Sequence, residues 1–151
     1  MTNYSLLILE DDTSHVAAIM RAFDTAKNPP DIRVASTLQE YCSMAEAFPP
    51  DIALLDLNLP DGDQQASLCL LSEDSPFPMV VMTSMGNEDV AVAAMKLGAV
   101  DYLVKSPETF ANMPYIVKRA LLARKLGPSS AAKLIREAVA AYKDLSLQTQ
   151  P

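Results

Sequence analysis

Short, wholly apolar runs recur along the chain, at Leu6-Leu7-Ile8-Leu9, Ile52-Ala53-Leu54-Leu55, Met79-Val80-Val81-Met82 and Tyr102-Leu103-Val104. A run of this length bounded by turn residues predicts a strand buried on both faces, as in a parallel sheet. The strands so predicted cover about 5–9, 32–35, 52–56, 79–82 and 100–104. Between them the apolar spacing becomes helical. Val16, Ile19, Met20 and Phe23 form an i, i+3, i+4, i+7 stripe, and Asn28-Pro29-Pro30 stops that first helix because proline removes a donor and restricts the residue before it. A second helix runs from Leu38 to Phe48 and ends at Pro49-Pro50.

Further along, Leu59-Pro60-Asp61-Gly62-Asp63 reads as a turn, with Gly62 free to take positive φ and Asp63 as an N-cap. A third helix follows over about 64–72, carried by Leu68 and Leu71. Asn87 can cap a fourth, with Val90, Ala94 and Leu97 inward and Gly98 as its C′ residue. The fifth follows Pro107 and presents Met113, Val117, Ala120 and Leu121 on one face.

Five strand–helix units without hairpin signals predict a doubly wound (βα)5 α/β fold with a parallel sheet in the flavodoxin-like order 2-1-3-4-5. The predicted organisation is one domain over residues 1–126. Gly127-Pro128-Ser129-Ser130 breaks the pattern, and residues 127–151 form a linker and C-terminal extension. Within it, Leu134, Ala138, Ala141, Tyr142 and Leu145 mark an extra C-terminal helix. That extension reads equally as a linker, the start of a further domain or a docking helix.

Half the residues are hydrophobic and 21% are charged, which describes a folding chain and not a disordered one. Twelve basic against 19 acidic residues give a net charge of −7. Such a balance repels phosphate backbones, so no direct nucleic-acid binding is expected. No apolar stretch approaches a membrane span and the N-terminus has no signal-peptide pattern, so no membrane partner is expected and a cytoplasmic location follows. Cys42 and Cys69 match no metal spacing and are expected reduced, in helices.

The chemistry lies just past the strands. Glu10-Asp11-Asp12, Asp56, Thr83 and Lys105 each stand where an apolar run ends, and open α/β sheets bind ligands at that edge. Order 2-1-3-4-5 makes Glu10, Asp11 and Asp56 neighbours at the switch point. Such carboxylates repel one another unless a cation is present, and oxygen-only ligands suit Mg2+. With the charge offset, an Asp56 oxygen can attack a phosphoryl group. Thr83 and Lys105 would then supply a hydroxyl donor and an ammonium to its oxygens. Taken singly each residue has a plainer use: acids at a helix N-terminus, Asp56 in an Asx turn, Thr83 at a strand end, Lys105 in solvent. Asp12 is assigned to the helix cap.

The ordered set resembles a response-regulator receiver domain of two-component signalling, over roughly residues 5–126. Its carriers are Ile8-Leu9-Glu10-Asp11-Asp12, Leu54-Leu55-Asp56-Leu57-Asn58-Leu59-Pro60-Asp61-Gly62, Val81-Met82-Thr83-Ser84 and Gly98-Ala99-Val100-Asp101-Tyr102-Leu103-Val104-Lys105. The resemblance implies that Asp56 takes a phosphoryl group from a histidine kinase or phosphotransfer protein. It implies Mg2+ on Glu10, Asp11, Asp56 and the backbone carbonyl of Asn58. It also implies that Thr83 and Lys105 contact the phosphoryl group and that Tyr102 is the aromatic switch residue. The implied role is regulatory, with self-catalysed phosphorylation and dephosphorylation and no metabolic activity. Two departures stand out: Ser106 separates Lys105 from Pro107, and Ser84 follows Thr83 where the family often has alanine. The stretch from Lys105 to Leu121 is similar to receivers found ahead of PAS and histidine-kinase domains.

Two rival readings share part of the pattern. A haloacid-dehalogenase-type phosphatase also uses a strand-end Asp, but it wants a second Asp two residues on, where this chain has Asn58. A receiver-like interaction module would never take phosphate, against which the intact acid, Asp, Thr and Lys set argues. His15, the lone histidine, is assigned a surface or capping role, and Met79, Met82, Met85 and Met95 are assigned to the core. Self-association as a homodimer, or intramolecular docking, is expected through the fifth helix and the C-terminal extension.

Overall fold

The computed structural model of the chain describes residues 3–59, 64–84 and 88–126. Strands β1 (Ser5–Leu9), β2 (Asp31–Ala35), β3 (Ile52–Asp56), β4 (Met79–Thr83) and β5 (Asp101–Val104) form one sheet. Its order is β2-β1-β3-β4-β5, and every pairing is parallel. Helices α1 (Thr13–Phe23), α2 (Leu38–Ala47), α3 (Gln64–Leu68), α4 (Glu88–Leu97), α5 (Pro107–Ala111) and α6 (Met113–Leu126) connect and flank the strands. The expected doubly wound fold is present.

The pleat explains why the strand sequences are apolar throughout. Leu6, Ile8, Ile52, Leu54, Val80, Met82 and Leu103 face one core with Ile19, Phe23, Phe110, Met113 and Val117. Leu7, Leu9, Ala53, Leu55 and Val81 face a second core with Tyr41, Leu71 and Ala94. A residue and its successor therefore enter different cores, and neither can be polar.

Local chemistry sets the helix ends. Asp12 caps α1 by accepting from the amides of Ser14 and His15, as expected, and Thr37 caps α2 through Glu40. Gly98 has a φ of +121°, and a Cβ there would lie 2.6 Å from Ser72 backbone, so both conformation and space demand glycine. Ser106, the residue that separates Lys105 from Pro107, is the N-cap of α5; it forms a capping box with Thr109 and leaves Pro107 in the first turn.

Several boundaries and faces differ from expectation. The fifth helix is two helices, interrupted at Asn112, where Pro114 lacks an N–H and crowds the residue before it. The third ends at Leu68, not near residue 72, although Leu71 is still buried. Leu97 and Met20 are 45% and 43% exposed; α4 packs through the expected Ala94 and Val90, joined by Ala91. Met79 and Met82 are core residues but Met95 is exposed, and Cys69 lies in a turn after α3. The turn at 60–63, Asn87, Met85 and the extension over 127–151 lie outside the described residues. No described helix is long and apolar enough to cross a membrane.

Candidate functional site

The sheet register assembles the site. Leu9 pairs with Leu55, so Glu10 and Asp56 leave the sheet side by side, at the point where the chain's direction across the sheet reverses. Thr83 pairs with Val104, which places Lys105 one residue beyond. Pleat parity then divides the group. Glu10 and Asp56 share the face of Ile8 and Leu54, toward α1, α5 and α6, and Lys105 shares the parity of Leu103 on that face. Thr83 and Tyr102 belong to the opposite face, with Val81, the residue that pairs with Tyr102.

Glu10, Asp56 and Thr83 are each 1% exposed, so two carboxylates are held nearly out of water. Lys105 neutralises them: its Nζ lies 2.8 Å from Asp56 Oδ2 and 2.6 Å from Glu10 Oε2. Burial pushes the Glu10 carboxyl above its ordinary range and the Asp56 charge adds to this, while Lys105 opposes it. Burial alone would lower the Lys105 ammonium, but hydrogen bonds and charge from Asp56 and Glu10 outweigh it, and the net shift is upward. That balance is reasonable: at an effective dielectric near 20, one pair at about 4 Å contributes ~4 kcal/mol, and here there are two.

Asp56 Oδ1 accepts from the Asn58 amide at 2.9 Å, and Asn58 Nδ2 donates to Ser84 Oγ at 2.8 Å, linking the loops after β3 and β4. Thr83 Oγ1 donates to the Ser84 carbonyl at 3.3 Å, a long bond that a better acceptor would displace.

A cation fits this donor set. Glu10, Asp11 and Asp56 offer carboxylate oxygens that lie within 4.8 Å of one another. Three negative charges against one ammonium leave an excess suited to a divalent ion. Glu10 Oε2 is a buried acceptor whose close partner is the Lys105 ammonium. Hard oxygen ligands of this kind suit Mg2+ or Mn2+. Asp12 is not in the cluster; its side chain is engaged at the α1 cap.

The sequence matches the response regulator receiver domain family over residues 6–113. The chain belongs to that family. As a receiver domain its place is in two-component signalling, as a phosphoacceptor. It is 39% identical over 107 residues to the KDP operon transcriptional regulatory protein KdpE of Escherichia coli, which covers 70% of this chain and 45% of that one. A signal receiver domain of a LuxO repressor protein from Vibrio parahaemolyticus superimposes with a TM-score of 0.67 at 26% identity, over 83% of this chain and 98% of that one. The Mn2+-bound form of the response regulator Rcp1 has the same fold, with a TM-score of 0.65 at 22% identity over 73% of this chain and 91% of that one. The chain spans 28%, 22% and 59% of the length of FilR1 of Methanothrix harundinacea, LuxO of Vibrio cholerae and ActR of Rhizobium meliloti, which it also matches. Family membership decides against the dehalogenase-type reading.

The receiver's expected residues are thus largely gathered. Glu10, Asp11, Asp56 and Lys105 meet at one edge, and Thr83 sits one strand away, buried. Tyr102 is on the Thr83 face and is 41% exposed, turned outward. His15, assigned to the surface or a cap, instead stands at the site. Its Nδ1 is 3.5 Å from Lys105 Nζ and its ring packs on Phe110 with centroids 5.2 Å apart. A sequence signal for it existed: capping by Asp12 turns the first helical turn toward the acidic cluster, and His15 lies within that turn.

Proposed function

We propose that Asp56 is the phosphoacceptor of this receiver, and that a histidine kinase or phosphotransfer protein is the donor. The observation that carries the reading is the buried Asp56 carboxylate, held between the Lys105 ammonium and the Asn58 amide beside two further acids. One Asp56 oxygen attacks phosphorus, the bond from phosphorus to the donor nitrogen breaks, and the electron pair leaves with the donor imidazole. Lys105 offsets charge on the transferred oxygens, and the Thr83 hydroxyl exchanges its long bond to Ser84 for one of them. Glu10, Asp11, Asp56 and the Asn58 carbonyl would hold Mg2+, which supplies a further positive centre for those oxygens. The Mn2+-bound Rcp1 structure supports the choice of a divalent ion. Hydrolysis of the acyl phosphate by water in the same pocket resets the domain, so the chemistry is self-catalysed and regulatory.

The phosphoryl signal leaves through Thr83 and Tyr102, which share a sheet face remote from α1. Residues 1–126 act as the receiver, and α6 with residues 127–151 carries the output, through self-association or docking against the receiver. A chain ending at residue 126 should then lose any beryllofluoride-dependent change in sedimentation. The site itself is tested with acetyl phosphate. The protein should gain one phosphoryl group only when Mg2+ is present, and Asp56→Asn should gain none. Equal incorporation in that variant overturns the assignment, and no incorporation in either protein favours an interaction module that takes no phosphate.

A further inference from the structure

The lone histidine has no part in the receiver chemistry above, yet it is built into the pocket. His15 Nδ1 lies 3.5 Å from Lys105 Nζ, while Nε2 lies 3.5 Å from Asp12 Oδ2. An ammonium has only protons to offer and a carboxylate only lone pairs. Facing an ammonium, Nδ1 serves as the acceptor nitrogen, which places the ring proton on Nε2, on the side of Asp12. Glu10 Oε1 is 3.7 Å from Nδ1, beyond hydrogen-bond reach, and it accepts instead from the Asp12 amide at 3.1 Å. The ring is fixed from the side by Phe110, a buried residue of α5. Capping by Asp12, packing on Phe110 and the contact to Lys105 all hold one imidazole orientation.

We propose that His15 is a positioning residue for Lys105, the third acceptor for its ammonium. The inference rests on the phosphoacceptor reading and extends it. Lys105 is held now by Glu10 Oε2 and Asp56 Oδ2, the same carboxylates that a divalent cation and a phosphoryl group would claim. When they are claimed, the ammonium must give up its contact to Glu10 while staying close enough to reach the phosphoryl oxygens. An acceptor nitrogen beside it gives one N–H a partner, so the others keep their direction toward Asp56. Without that partner the four-carbon stem is free to swing, and the contact to phosphate carries an ordering cost.

Beryllofluoride, a stand-in for the phosphoryl group, tests this as a binding measurement. Affinity is measured at saturating Mg2+ for the wild type, His15→Leu and His15→Asn, each first shown by thermal melting to be folded. Leucine keeps apolar packing against Phe110 and removes the acceptor. Asparagine loses the ring but places an amide oxygen near the Nδ1 position. His15→Ala is a second acceptor-free variant should the leucine fail to fold. The acceptor-free variants should bind beryllofluoride about tenfold more weakly, as for loss of a hydrogen bond to a charged group, and asparagine should recover most of the loss. Wild-type affinity in an acceptor-free variant overturns the proposal, as does an asparagine variant no better than leucine, which would assign His15 to packing alone. A wild-type protein that binds no beryllofluoride at all fails the phosphoacceptor reading, and this inference with it.

Discussion

The backbone amide of Lys105 donates to the carbonyl of Thr83 at 2.9 Å. The hydroxyl and the ammonium proposed to meet the phosphoryl group are thus fixed to one another by the β4–β5 ladder, independently of their side chains. Their parity sends them to opposite faces, so under the proposed function a group on Asp56 would be sensed on both sides of the sheet at once. Lys105 would report toward α1 and α5, and Thr83 toward Tyr102.

That division predicts a separable switch. Thr83→Ala should still accept phosphate, because the carboxylate cluster and Lys105 lie on the other face. It should lose the response of Tyr102, which is now exposed and should turn inward when Thr83 moves to the phosphate. A shift of a two-state population from 1:99 to 99:1 needs ~5.5 kcal/mol of differential interaction, and a phosphoryl group with nearly two negative charges can supply much of it. Chemical shifts along α4 and β5, with and without beryllofluoride, check this; an unchanged response in Thr83→Ala contradicts it.

Lys105→Met leaves Glu10 and Asp56 buried without a counter-charge. Loss of one partner from a buried pair costs about 3 kcal/mol at the low end of its range. Urea denaturation in chelator should show that loss, and Mg2+ should restore more stability to the variant than it adds to the wild type. Equal destabilisation with and without Mg2+ would mean that no cation replaces the ammonium.

The acidic triplet should divide by role. Asp11→Ala should weaken Mg2+ binding, whereas Asp12→Ala should leave it nearly unchanged and destabilise α1. The Ser14 hydroxyl, with the amides of Ser14 and His15, holds the Asp12 carboxyl below its ordinary value of 3.8. A depressed carboxyl stabilises the fold above its unfolded pKa, and the contribution disappears as pH falls through the folded one. Asp12→Asn should therefore flatten the acid limb of the stability profile. Calorimetric Mg2+ titration and acid unfolding check the two halves; equal Mg2+ loss in Asp11→Ala and Asp12→Ala contradicts the assignment.

Gly98→Ala should cost ~2 kcal/mol or more, since φ of +121° is strained for any side chain and a Cβ meets Ser72 backbone. Thermal unfolding measures it. A variant as stable as the wild type would mean that the α4–β5 connection relaxes freely.

What was legible in the sequence follows from period. Strands buried on both faces leave unbroken apolar runs, and the first polar residue after each run must lie at the sheet edge. Glu10, Asp56, Thr83 and Lys105 are therefore legible from the sequence alone. Chain order alone could not reveal contacts between elements. His15 is 90 residues from Lys105, and only the packing of α1 against α5 unites them. Helix faces are less legible where small residues do the packing. Ala91 and Ala94 let α4 approach the sheet closely, so Leu97, the larger residue, is left outside. The break at Asn112 was signalled by Pro114, but the apolar stripe that continues across it, from Phe110 to Val117, reads as one helix.

The most direct test of Asp56 as phosphoacceptor locates the acyl phosphate itself. Protein treated with acetyl phosphate and Mg2+ is reduced with borohydride, which converts an aspartyl phosphate to homoserine, and the altered residue is mapped by peptide mass spectrometry. The altered residue should be at position 56, and it should be absent when Mg2+ is chelated. Reduction at Asp11 or Asp12 instead, or a phosphoryl group that resists borohydride, would contradict the account.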